Sequence, residues 1–146
     1  MKKLSLLLLV VAFVLGTGIF AQAQTPAPVV PKLTVEEYKA NPDKVYVIMF
    51  TAVGCQPCRK AKQELLPELM QTFATNKYKG KVGVYTVDIT RGFSEGVPFE
   101  WSEGVLLLPT FRVLHNKANL YTTSGYSLDK KETIKKNILE TVNSKM

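Results

Sequence analysis

Gly54-Cys55-Gln56-Pro57-Cys58-Arg59-Lys60 holds both cysteines of the 146-residue chain, spaced C-x-x-C. Just upstream, Val45-Tyr46-Val47-Ile48-Met49-Phe50-Thr51 is apolar and rich in β-branched and aromatic residues. That run predicts a buried central strand over 44–51. Downstream, Ala61, Leu65, Leu69 and Phe73 recur at i, i+4 spacing, with Lys60, Lys62, Gln63 and Glu64 among them. This is the pattern of an amphipathic helix starting at Pro57. Pro57 suits a first helical turn, where its missing N–H costs nothing, and Pro67 is expected to kink the helix. Two close thiols where a strand hands over to a helix point to thiol–disulfide chemistry.

A C-x-x-C pair is also half of many zinc sites. Here there is no further cysteine, and His115 is the only histidine. A four-ligand zinc site from one chain is therefore not expected, nor is any cofactor. The formal net charge of +7 raises the question of nucleic acid. The Lys and Arg are spread along the chain and interleaved with Asp and Glu, as on a solvated basic surface. No nucleic-acid partner is expected.

Residues 1–23 read as a secretory signal peptide: Lys2 and Lys3, an apolar stretch from Leu4 to Phe20, then Ala21-Gln22-Ala23 as a small-x-small cleavage site. The competing reading is a retained anchor. The stretch is only about 17 residues long and contains Gly16 and Gly18, which is short for a span. No cysteine lies near the cut, so a lipid anchor is not expected there. Residues 24–32, with Pro26, Pro28 and Pro31, read as an extended linker, and 33–146 as one domain. The mature protein is expected outside the cytosol, periplasmic or secreted, as a monomer. There a cysteine pair can persist oxidised.

The rest of the domain follows the same logic. Thr34-Val35-Glu36-Glu37 is a capping box for a short helix, which Asn41-Pro42-Asp43 ends. Lys81 to Ile89 reads as a second strand. Thr90 to Gly104 reads as a loop, with one helical turn near 99–102. Pro109 to His115 and Leu120 to Ser124 read as a hairpin around an Asn116–Asn119 turn. Ser127 is expected to cap a last helix with Ile134, Ile138 and Val142 on one stripe. A strand–helix–strand unit followed by a hairpin gives an α/β fold: a mixed sheet of about four strands with helices on both faces.

Taken together, these residues resemble the thioredoxin-like thiol–disulfide oxidoreductases over about residues 33–143. The match rests on the strand ending Phe50-Thr51-Ala52, on Cys55-Gln56-Pro57-Cys58 heading a kinked helix, on Leu107-Leu108-Pro109-Thr110 before a hairpin, and on Gly125 before the last helix. The resemblance implies a thioredoxin-like fold and a disulfide-exchanging enzyme whose partners are protein thiols and disulfides. It also implies a membrane or soluble redox partner that recharges it. Cys55 would attack and Cys58 resolve, while Gln56 and Pro57 tune the pair. Pro109 would be cis, and the backbone of Leu108 would pair with an extended substrate strand. An x-Pro dipeptide leans towards a reductase or electron-transfer role.

Two departures stand out. Gly54 occupies the position of the family's usual Trp, and Met49 that of its buried acid. They leave room for two other functions. One is a binding module of the same fold whose disulfide is structural. The other is a copper chaperone using both thiols, with His115 as an added ligand. Trp101 and Phe99 are read as groove lining or core.

Overall fold

The computed structural model describes residues 28–91 and 98–146. The expected signal peptide and the start of the linker lie outside them. The chain is already paired at its edge by Pro31–Leu33: Thr86 N–H donates to Pro31 O and Leu33 N–H to Thr86 O, both at 2.9 Å. Pro31 and Lys32, within the stretch read as linker, thus lie alongside the sheet.

Strand β1 (Val45–Thr51) is central, in the order β2-β1-β3-β4. It runs parallel to β2 (Val82–Asp88), from Val45 opposite Val82 to Thr51 opposite Asp88. It runs antiparallel to β3 (Thr110–His115), with Phe50 opposite Thr110 and Tyr46 opposite Leu114. β3 and β4 (Ala118–Ser124) form the hairpin. Its turn is tighter than the expected four residues. Asn116 (φ 50°) and Lys117 (φ 64°) both take the left-handed conformation, which closes a two-residue hairpin turn matched to strand twist.

Why β1 is buried at every residue is now visible. Val45, Val47 and Met49 face one core with α2 (Gln56–Glu64), α3 (Leu66–Phe73) and α5 (Lys131–Asn143). Tyr46, Ile48 and Phe50 face the other, under α1 (Val35–Ala40) and α4 (Phe99–Ser102), with Tyr38, Tyr85 and Trp101. Side chains alternate along a strand, so a two-faced burial leaves no solvent-facing position.

Three local expectations are corrected. The helix after the cysteines does not merely kink. It breaks at Leu65 (φ −98°, ψ −50°) into α2 and α3, because Pro67 has no N–H for Gln63 and its ring crowds that carbonyl. The capping box is used on one side: Thr34 Oγ1 accepts the Glu37 N–H at 3.1 Å, but the Glu37 carboxylate serves Lys44 and Tyr85. Ser127 makes no cap bond; a 3₁₀ turn, Leu128–Lys130, leads into α5 instead.

At the end of the sheet where β1 begins, Tyr46 donates its hydroxyl to Asn41 O at 2.8 Å, and Lys44 Nζ donates to the Tyr85 hydroxyl at 2.7 Å. Burial pushes the Tyr46 phenol up to about 12 and raises Tyr38 and Tyr85 as well. The folded values exceed the unfolded one of about 10, so the fold prefers the neutral phenols. Their contribution is whole below about pH 10 and is lost as pH rises through the folded values. Urea melts from pH 8 upward should show a midpoint that declines above about pH 10, with tyrosinate absorbance appearing together with unfolding.

Candidate active site

The Cys55–Cys58 pair is closed as a disulfide, with S–S 2.07 Å and Cα–Cα 5.3 Å. Cys55 is the N-cap of α2, and its Sγ accepts the Cys58 N–H at 3.3 Å. Sulfur at this position faces the unpaired N–H groups of a first turn and the positive end of the helix dipole, which favour a thiolate once the bond is reduced. No acid sits in that first turn, and Arg59 and Lys60 are exposed just beyond it. Cys55 is half-buried, whereas Cys58 is only 1% exposed and packs with Met49 and Ala61. Gln56 and Pro57 between them are exposed.

Gly54 explains the approach. Its φ of +82° is one that side chains disfavour. Nothing lies within 4 Å of where a Cβ would stand, so conformation rather than space selects glycine.

The second wall is at the same end of the sheet. The Leu108–Pro109 peptide bond is cis. Pro109 is buried, its carbonyl accepts the Gly125 N–H at 2.8 Å, and the next residue, Thr110, pairs with Phe50 as β1 runs towards Cys55. Leu108 is half-buried against both cores. Of the expected site residues, then, Cys55, Cys58, Gln56, Pro57, Leu108 and Pro109 all gather at one end of the sheet.

No protein-family model and no curated protein matches the sequence. Solved structures do. Thioredoxin from Trypanosoma brucei brucei is 20% identical with a TM-score of 0.56, covering 82% of this chain and 96% of its own. The germline-specific thioredoxin Deadhead of Drosophila melanogaster is 22% identical with a TM-score of 0.52, covering 77% and 98%. Thioredoxin of Malassezia sympodialis is 24% identical at 0.50, covering 77% and 93%. This chain has the thioredoxin fold. Within that fold, the C-x-x-C pair heads α2 and the cis proline opens β3, as the resemblance implied.

His115 is placed elsewhere. It ends β3, which starts beside the site, so it lies five residues along the strand, or about 17 Å away. It cannot join the two sulfurs. Among the described residues no three His, Cys, Asp or Glu side chains cluster as metal ligands. Trp101 is core, 1% exposed against Tyr38. The side chain of Phe99 lies outside the described residues.

Several residues at this end escaped the sequence reading. Val53, Leu106 and Leu107 are 80%, 90% and 66% exposed, on the two loops that carry Cys55 and Pro109. Hydropathy alone places such residues inside. Arg112, 3% exposed, donates from Nη1 to Trp101 O at 2.8 Å and from Nη2 to Glu103 O. It thereby ties α4 and the turn that precedes Leu106–Pro109 to β3. Burial lowers its pKa, which still leaves a guanidinium charged. The signal was present, since a charge between Phe111 and Val113 in a buried strand requires partners.

Proposed function

We propose that this protein is an exported thiol–disulfide oxidoreductase acting on protein cysteines, working in the reductive direction. The observation that carries this reading is the asymmetry of the pair: Cys55 half-exposed at a helix N-terminus, Cys58 buried behind it. The reduced Cys55 thiolate attacks one sulfur of a substrate disulfide. A bond forms between Cys55 and that sulfur, and the other substrate sulfur leaves as a thiolate that takes up a proton. Cys58 then gives up its proton and attacks Cys55 Sγ, releasing the second substrate thiol. The substrate gains two electrons and the pair becomes the disulfide seen in the structure. A membrane or soluble dithiol partner must reduce it again.

The backbone at Leu108 offers an extended substrate segment a strand to pair with, as in β-strand addition. Exposed Val53, Leu106 and Leu107 suit a segment with apolar residues beside its cysteine. A cysteine only half-buried at a helix start is poorly suited to a merely structural clip. The separation of His115 from the pair removes the third ligand from the copper reading.

The test is turnover of insulin disulfides with dithiothreitol as reductant, together with the reduction potential of the Cys55–Cys58 couple. Catalysed reduction, and a potential above the range of about −300 mV and lower typical of structural disulfides, are expected. A lower potential with no exchange in either direction would leave the structural-clip reading standing and this one refuted.

A further inference from the structure

The loop from Ala52 to Cys55 carries the attacking sulfur but holds itself loosely. Its internal turn bond, Cys55 N–H to Ala52 O, is 3.3 Å, long for such a bond. The firmer restraint comes from the turn that follows β2. Thr90 Oγ1 accepts the Val53 N–H at 2.8 Å.

A hydroxyl has one proton and can rotate it. Here the proton is committed, because Thr90 Oγ1 donates to Asp88 Oδ1 at 2.5 Å. The Thr90 N–H donates to the same oxygen at 2.9 Å. With rotor and backbone both fixed on the carboxylate, the lone pairs of Oγ1 are left for Val53. The frame under this relay is rigid: Asp88 is opposite Thr51 in the parallel ladder, and Ile89 N–H donates to Thr51 O at 2.8 Å. The two bonds from Thr90 hold the Asp88 carboxyl below its usual range, with Lys32 and Lys62 adding to the effect. It is therefore ionised wherever thiol exchange is measured.

We propose that Thr90, oriented by Asp88, is a positioning residue for Cys55, pinning the redox loop so that the sulfur stays over the N–H groups opening α2. The proposal rests on Cys55 being the activated nucleophile. Neither residue touches the substrate. Their effect passes through the Val53 N–H to the loop, and through the loop to the place of Sγ at the helix start, where it accepts the Cys58 N–H. A loop free to swing spends less time in that contact, and the Cys55 pKa rises.

The experiment is the pH dependence of iodoacetamide alkylation of Cys55 in the reduced protein, with Thr90→Val, Thr90→Ser and Asp88→Asn beside the wild type. Urea melts of each are run in parallel. The wild-type midpoint should lie below the free-thiol value of about 8.5. Thr90→Val keeps the shape and loses the hydroxyl; its midpoint should rise by about one pH unit, a tenfold loss of thiolate below both midpoints. Thr90→Ser should restore the wild-type profile, and Asp88→Asn, which keeps an acceptor but no charge, should fall between.

A stability loss in Thr90→Val with an unmoved midpoint would overturn the proposal, as would a Thr90→Ser profile like that of Thr90→Val. Should Thr90→Val fail to fold, an unmoved Asp88→Asn profile overturns it alone. A wild-type midpoint at the free-thiol value would overturn the activated-nucleophile reading itself. A lowered midpoint indifferent to these variants overturns only the relay.

Discussion

A Cys58→Ser variant is expected to accumulate as a stable mixed disulfide with its protein substrates, while Cys55→Ser forms none. The two sulfurs differ in access as well as in their place at the helix start. Cys58 is 1% exposed, in one buried cluster with Met49 and Ala61, so no substrate sulfur can reach it in line. Cys55 is half-buried, next to exposed Gln56 and Pro57. Removing Cys58 leaves the attacking thiolate and deletes only the step that frees it. Removing Cys55 deletes the first step, and turnover should fall to the uncatalysed level for both variants. Non-reducing electrophoresis after incubation with a denatured, disulfide-bonded protein separates the outcomes. Adducts of equal yield in the two variants would refute the assignment of roles.

The parts of this site that were legible in the sequence are those set by short-range rules. A seven-residue apolar strand must be central when both its faces are covered, and Val45 to Thr51 is. Cys55 could be placed at a helix start because Pro57 is compatible with a first turn and little else in a helix. Pro109 followed from the residues around it and from the resemblance. The break at Leu65, rather than a kink, depends on how Leu65, Leu66 and Leu69 all reach one core, which spacing alone does not show.

What stayed hidden was tertiary. Thr90 lies 37 residues from Val53 in sequence, and only the parallel pairing of β1 with β2 brings them together. Asp88-x-Thr90 is a recognisable Asx-turn pattern, but the pattern does not reveal whose N–H it will serve. Likewise the exposure of Leu106 and Leu107 is not legible from their apolar character. They lie on the loop that leads into Pro109 at a sheet end. Arg112 lay in view as an anomaly, but its partners are backbone carbonyls, which carry no sequence label.

Met49→Asp is expected to destabilise the protein at neutral pH while speeding resolution by Cys58. The position is fully buried, with Thr86 and Phe111 opposite it in the ladder and Cys58 in the same cluster. A carboxyl placed there pays for desolvation in its charged form, and full burial raises such groups by roughly three units or more. The folded pKa then exceeds the unfolded value of about 3.9. Stability is therefore retained below that value and lost as pH rises through the folded one, by about 4 kcal/mol for three units. Urea melts at pH 4 and pH 8 span most of this loss. The same carboxylate, once ionised, is a proton acceptor within the apolar cluster that holds Cys58. Cys58 should then attack faster, and the mixed disulfide should decay several-fold more quickly as pH rises through the Asp titration. Stability and resolution rate thus move in opposite directions over one pH interval, controlled by one group. A variant equally stable at both pH values would show that the site admits water despite its packing, and faster decay without that pH dependence would show that the new carboxyl acts by loosening the core rather than by taking the proton.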